Sequence, residues 1–387
     1  MNLPWRIVLR AVVVVGVSVA TSIWPLCADE AVDGPTLMQR VRDDIAWGGK
    51  LESLHLMARI EERRTPEGIE HSLKQIKEQN PDLDQPDPLK FTELLPETNL
   101  RLELDFDARR FRWMWLFRDS NNRELSRETQ FWDGRRVVSH SQNLRQQTDS
   151  VTFSPDIGPA SYSIWGWTSY LNHQPLECWW NEPPALREQL HSRFASAADF
   201  TLVDRENYHG VDCHVLVETR NDFRDRYYIG VQDGRWYGAK IGVISFANLP
   251  MFAETHQRLV EKFLGRSLGT NPSDEVWNAV HREFITMPSA RRAEWGKRLY
   301  SELGKQFTPC WEFWFSDFRD LSEGRFFPFR ETHLSYEHDK ADKKIFLANQ
   351  RTLFVRKLTL NQPLDDSLFD EPIAAGAEVV DETAKAQ

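Results

Sequence analysis

Cysteine is scarce in this chain, with four in 387 residues. A disulfide scaffold is small and cysteine-dense, so that class is excluded. A basic excess is also missing: 48 Lys and Arg stand against 58 Asp and Glu, a net charge of −10. A nucleic-acid protein normally carries a basic stripe, and attachment to an anionic membrane needs a basic cluster, so both are disfavoured. Glycine and proline, at 19 and 20, are too few for a collagen-like or low-complexity chain. Catalytic signatures are absent too. There is no Gly-x-Ser-x-Gly, no His-Glu-x-x-His, no phosphate loop and no Cys-x-x-Cys. The reading is therefore of a protein that is not an enzyme and has no cofactor. The nearest approach to a metal cluster is His333, Glu337 and His338. On a strand, 333 and 337 share a face that 338 does not, so a solvated loop rim is the simpler reading. His281 and Glu283 sit two apart on a helix and diverge. Asp317, Asp320 and Asp365-Asp366 suit turns and caps.

What is present begins with a leader. Arg6 and Arg10 precede the apolar stretch Ala11–Ile23, Pro25 breaks it, and Leu26-Cys27-Ala28 offers a small residue at a cleavage position. The stretch is short of the ~20 residues that span a bilayer. We read 1–28 as a signal peptide, with an uncleaved anchor as the alternative. The residues before Cys27 match a lipoprotein signal poorly. Removing the leader takes away two arginines and no acid, moving the charge from −10 to −12, and the mature chain would begin near Asp29 in a periplasmic or other exported space. Cys178, Cys213 and Cys310 would remain. Three buried thiols are the simpler reading, with a Cys178–Cys213 bridge as the alternative.

Aromatic residues are plentiful but lopsided: 15 Trp and 23 Phe beside eight Tyr. Their clearest use is in 99–118. Leu100, Leu102, Leu104 and Phe106 alternate with charged residues, and after Asp107-Ala108-Arg109-Arg110, Phe111, Trp113, Trp115 and Phe117 alternate with Arg112, Met114, Leu116 and Arg118. Successive side chains on a strand point to opposite faces, so this is an antiparallel hairpin with one aromatic face and solvated arginines on the other. Asp133-Gly134 and Asp233-Gly234 lie between strand-like runs and predict two more hairpins. With further strands near 51–62, 200–204, 214–218, 311–318, 326–336 and 351–360, the pattern predicts roughly ten strands in meander order. That number does not stay flat. Leu37, Val41 and Ile45 mark a short helix over 36–48, and Tyr162–Leu171 forms another helical patch. Residues 63–97, with Pro66, Pro81, Pro86, Pro88 and Pro96 among many charges, read as an exposed insertion containing helix only at 69–78. Residues 250–304 read as three inserted helices, starting at Pro250, Asn271-Pro272 and Pro288-Ser289.

The order of elements resembles the lipoprotein-carrier (LolA/LolB-like) superfamily of periplasmic half-barrel proteins. The likeness rests on Asn361-Gln362-Pro363-Leu364-Asp365-Asp366-Ser367-Leu368-Phe369, followed by Pro372, Gly376 and Val379-Val380-Asp381, and on Gly210-Val211-Asp212-Cys213-His214 ahead of an aromatic strand. The resemblance implies an α+β fold over 29–381: a strongly curved antiparallel sheet, an incomplete β-barrel, with helices on its concave face and a helical insertion, then a tail at 382–387. It also implies a cavity between sheet and helices that accepts acyl chains. The expected function is an exported carrier or binding protein for a lipid, a lipoprotein acyl chain or another apolar ligand. The alternative is a periplasmic sensor or interaction protein that docks a partner through the inserted helices. The residues expected to face the ligand are Phe111, Trp113, Trp115, Phe117, Trp311 and Phe313, although the same stripes also suit a filled core.

Overall fold

Strand β1 (Ser53–Arg64) sets the pattern for the molecule. Leu54, Leu56, Ala58 and Ile60 are all buried, while the side chains between them are less so. A strand with one wholly dry face must sit inside a sheet, and β1 does. It pairs antiparallel with β2 (Glu97–Asp107) on one side and with β13 (Lys344–Leu360) on the other. The computed structural model describes residues 33–45, 52–79, 97–107, 111–119, 121–132, 136–144, 146–155, 200–218, 225–242, 250–303, 309–322, 325–339, 344–370, 373 and 376–382. The expected signal peptide, the patch at 162–171, Cys178 and residues 383–387 of the tail lie outside them.

The remaining strands are β3 (Phe111–Arg118), β4 (Glu124–Trp132), β5 (Arg136–Asn143), β6 (Thr148–Pro155), β7 (Phe200–Tyr208), β8 (Val211–Glu218), β9 (Arg226–Gly230), β10 (Trp236–Ile241), β11 (Trp311–Ser322), β12 (Arg325–Asp339) and β14 (Glu378–Asp381). All belong to one sheet in the order β14-β6-β5-β4-β3-β2-β1-β13-β12-β11-β10-β9-β8-β7. Every pairing is antiparallel except β14 with β6. The ends of the order do not meet, so the sheet is a curved, incomplete barrel. The expected hairpins are present: Leu104 opposes Trp113 in β2–β3, Phe131 opposes Val138 in β4–β5, and Gly234 adopts φ 69° in the β9–β10 turn. The chain is not a simple meander, because β1 is joined to β13 from the far end of the sequence.

The face bearing Leu54 and Leu56 is the inner one, and α1 (Gly34–Ile45) lies on it. Asp33 starts α1 by accepting the Thr36 amide at 2.8 Å. Leu37, Met38 and Val41 bury against the sheet, and Gly34 packs so tightly on β7 that a Cβ there would meet the Phe200 carbonyl at 2.5 Å. Helix α2 (Pro66–Gln79) begins almost directly after β1 and packs on β13, where a Cβ on Gly68 would meet the Ala348 carbonyl at 2.3 Å. This corrects the reading of 63–97 as exposed from its start: its first part completes β1 and docks a helix.

The inserted helices α3 (Pro250–Leu264), α4 (Asp274–Thr286) and α5 (Ser289–Leu303) fall where the proline signals place them. They lie on the opposite, outer face. Leu259, Val260, Val280, Trp295 and Tyr300 form a second core there with Tyr208, Cys213, Val215, Val217 and Tyr228. The Tyr208 hydroxyl donates to the Phe313 carbonyl at 2.9 Å, tying β7 to β11 across three intervening strands. Cys213 and Cys310 are free thiols, and burial pushes the Cys213 thiol up to about 12. After β13 the chain returns past β1, where Asn361 accepts the Glu52 amide at 2.8 Å. It then makes a 3₁₀ turn, Asp366–Phe369, capped by Asp365, and ends on β6.

Candidate functional site

The inner face is an apolar wall assembled from strands far apart in sequence. Leu100, Leu102 and Trp115 from β2 and β3 join Leu353 and Val355 from β13, Phe327 from β12, Phe313 and Phe315 from β11, and Trp236 and Tyr227 from β10 and β9 in one buried cluster. Beyond β3 one inward row becomes polar, because Trp113 opposes Gln130, which opposes Ser139, which opposes Thr152, while Val137 of β5 still joins the buried apolar cluster. The Trp113 indole N–H donates to Gln130 Oε1 at 2.9 Å, and Gln130 donates to Ser139 Oγ at 2.9 Å. Phe131, Val138, Val151 and Phe153 of β4–β6 turn outward, where they cluster with Ala377.

Of the residues expected to face a ligand, three form a ladder on β3. Trp113 meets Trp115 edge-on at 5.8 Å, and Trp115 stacks on Phe117 at 5.9 Å. Trp115 is 3% exposed, whereas Trp113 and Phe117 are only partly buried. Phe111 continues the strand opposite Trp132, and its side chain lies outside the described residues. On β11, Phe313 is 4% exposed and packs on Trp236 at 5.7 Å and Phe315 at 5.5 Å. Trp311 is 53% exposed at the rim. The structure thus gathers Trp113, Trp115, Phe117 and Phe313 around one apolar face and leaves Trp311 at its edge.

Helix α1 covers only part of this wall. It starts against β7 at Gly34, and Asp44 near its other end feels the charges of Arg235 and Asp233 at the β9–β10 turn. Burial pushes the Asp44 carboxyl up to about 6. On this side Leu216, Tyr227, Ile229, Trp236, Phe313 and Phe315 are buried, while Leu202, Phe318 and Leu321 are partly buried at its margin. Toward the other half, Trp113, Phe117, Phe329, Leu358 and Leu360 pack on the cluster but stay partly open. The register sets Trp113, Leu104, Leu56 and Leu358 in one row.

The opposite end of the same face is charged. Glu62, Arg351, His333 and Phe313 share a row, with Arg64, Asn349 and Ser335 beyond it. Glu331, one step back among Ile60, Leu353 and Phe315, is 2% exposed and hydrogen-bonds His333. The His333 ring lies 5.5 Å from Phe313. Glu62 accepts from Asn349 at 2.6 Å and faces Arg351 at 3.8 Å and Arg64 at 4.0 Å. Sequence reasoning missed this cluster. The signal for it was Phe327-x-Phe329-x-Glu331-x-His333, an inward series that changes from apolar to ionisable without losing its period. The loop-rim reading of His333 and Glu337 is corrected: both belong to β12, and Glu337 lies 3.5 Å from His71 of α2. Among the described residues no three metal-ligating side chains gather, and no helix is long and apolar enough to cross a membrane.

The outer arginines also need correction. Arg112 is not solvated. It pairs with Asp105, 0% exposed, at 3.0 Å, and His55 meets the other oxygen of that carboxylate at 2.5 Å.

No protein-family model matches the chain, and no curated protein matches it. Among solved structures it is similar to a DUF1329 family protein from Desulfovibrio piger, at 7% identity and a TM-score of 0.36, over 88% of this chain and 98% of that one. It is also similar to an outer membrane lipoprotein-sorting protein domain from Vibrio parahaemolyticus, at 7% identity and a TM-score of 0.36, over 87% and 96%.

Proposed function

We propose that this chain is an exported carrier or binding protein for a lipid, a lipoprotein acyl chain or another apolar ligand. The ligand would lie against the inner face of the curved sheet, with Phe111, Trp113, Trp115, Phe117 and Phe313 in or behind the wall it touches and Trp311 at the rim. One observation carries the reading: Trp113, Phe117, Phe329, Leu358 and Leu360 face inward on the buried cluster yet remain partly open. Apolar area left in water costs ~25 cal/mol per Å², and an apolar patch held open inside a curved sheet marks a ligand surface. An acyl chain on it would gain ~0.8 kcal/mol per buried CH₂. The rival reading, a protein dock on the inserted helices, is less well supported, because those helices turn Leu259, Val260, Val280 and Trp295 into the sheet. Native mass spectrometry of the purified protein tests the proposal. A co-purified lipid mass, or uptake of added palmitate, is expected. A protein that comes without lipid and takes up none would end the carrier reading.

A further inference from the structure

The open half of the wall has a neighbour of opposite chemistry on the same face. From β3, the row of Trp113 runs through Gln130 and Ser139 to Thr152. The next row, that of Trp115, runs through Glu128, Ser141 and Ser150 to Glu378 of β14. These polar side chains are half-buried or exposed, whereas Phe131, Val138, Val151 and Phe153, which alternate with them, are buried on the outer side. Outside the row of Trp132 and Val137, the inner face of β4–β6 is therefore an accessible carpet of hydroxyl, amide and carboxylate groups. Hydrogen bonds fix its seam with the aromatic ladder. The Trp113 indole N–H donates to Gln130 Oε1 at 2.9 Å and the Gln130 amide donates to Ser139 Oγ at 2.9 Å, which holds ring edge, amide and hydroxyl in line.

A partly open aromatic ring beside aligned hydroxyl and amide groups suits one kind of ligand. A sugar has apolar C–H faces that lie on an aromatic ring, and hydroxyls around its edge that each donate and accept, as Ser, Thr and Gln side chains also do. A phosphate or carboxylate is the wrong complement. No Lys or Arg stands among the described inward positions of β4–β6, and Glu128 and Glu378 place negative charge in the second row. Adjacent strands lie ~4.8 Å apart, so the carpet reaches ~14 Å from β3 to β6. That leaves room for a small sugar headgroup beside an acyl chain on the wall.

We propose that the inner face binds a glycolipid, its uncharged sugar on the carpet around Gln130, Ser139 and Thr152 and its acyl chain on the open apolar wall beyond Trp113. This rests on the carrier reading and adds the class of headgroup and its place. Dissociation constants of the full chain are measured for monopalmitin, for palmitoyl glycerols carrying galactose or glucose, and for galactosylglycerol and glucosylglycerol without the chain. At least one glycolipid should bind about tenfold or more tightly than monopalmitin and than its own chainless sugar, because a site that hydrogen-bonds hydroxyls discriminates against a ligand lacking them. Changing Ser139→Val and Thr152→Val together should remove the preference over monopalmitin while leaving monopalmitin's own affinity unchanged. Should that double variant not fold, Ser141→Val, at an exposed position of the second row, should weaken the preference in the same way. Arg101→Gln, on the outer face, should leave it intact. Equal affinities for monopalmitin and both glycolipids would overturn this proposal and leave the carrier reading standing. A chainless sugar that binds as tightly as its glycolipid would overturn both, as would binding of none of the probes. A preference that survives the valine substitutions would overturn the assignment to this carpet.

Discussion

Strands β3 and β11 are written in nearly the same hand, with aromatic residues at alternate positions, and the fold treats them differently. On β3, Trp115 is buried while Trp113 and Phe117 stay partly open. On β11, Phe313 and Phe315 are both buried, and the residue between them, Trp314, stacks on His209 at 3.8 Å on the other face. The cause is cover. The inner side of β11 at Phe313 and Phe315 packs in the buried cluster that also holds Leu37, Met38 and Val41 of α1, and its outer side meets the β7–β8 turn and the inserted helices. Helix α1 lies against β7, and the described helical element that packs on β3 is the short 3₁₀ turn Asp366–Phe369. An alternating stripe therefore defines which face a side chain takes, whereas its cover decides whether that face is core or binding surface.

Three alanine substitutions on β3 break this comparison most directly. Trp115→Ala should cost ~3–5 kcal/mol, because it empties a packed position, and chemical denaturation measures it. Next in size is the outer pair beneath β3. Arg112→Ala leaves Asp105 buried with only His55 beside it, and loss of one partner from a buried pair costs ~3 kcal/mol. Trp113→Ala should cost less, ~1–2 kcal/mol, since part of the ring already faces open space, while palmitate affinity falls several-fold. If Trp113→Ala proves as destabilising as Trp115→Ala with binding intact, β3 is core like β11 and the contrast between them fails.

The parts of the fold that were legible are the local ones. The β2–β3 register follows from two alternating runs separated by a short turn, and the β9–β10 hairpin from Asp233-Gly234. Helices α3, α4 and α5 follow from Pro250, Pro272 and Pro288. Their destination was not legible, because amphipathicity shows that a helix has an apolar face and not which side of a sheet receives it. Nor was the pairing of Leu56 with Leu358, since contacts between the two ends of a chain leave no local mark. The outer pair of Arg112 and Asp105 was hidden for a related reason: charges on the face opposite an apolar stripe read as solvated until something is seen to bury them. Half of the site was therefore readable. The aromatic stripe announced itself, whereas Glu331, His333 and Arg351 broke the rule that inward positions are apolar and so passed for surface.

The cover over β11 can be sharpened through α1. Asp44 near its end has its carboxyl raised from an ordinary 3.8 to about 6, chiefly by burial. A carboxyl whose folded pKa is raised favours the fold fully below 3.8, and that contribution is lost as pH rises through about 6. At neutral pH the folded state therefore holds a poorly solvated charge. Asp44→Asn should stabilise the protein by ~1 kcal/mol at pH 7, a figure discounted for partial exposure, and should do nothing at pH 3.5. Urea denaturation at the two pH values measures this. An equal effect at both would show that the carboxyl is not titrating against the fold.

The smallest effect belongs to Trp311. It lies on the same strand as Phe313 and at the same inward parity, yet it is 53% exposed. Its neighbours in register are Ile241, which is buried, and Ser335, beyond the row of His333. It therefore stands past the buried part of the wall, at the charged rim. An exposed side chain makes few contacts to lose, so Trp311→Ala should change stability by no more than ~0.5 kcal/mol. Its ring should nevertheless report on the rim. The fluorescence lost in Trp311→Phe should be the part of the signal that iodide quenches most readily, and binding of palmitate should protect it only if the ligand reaches the rim. A Trp311→Ala variant that unfolds as readily as Trp115→Ala would show that the rim is core, and that the cover over β11 reaches one residue pair further than the structure places it.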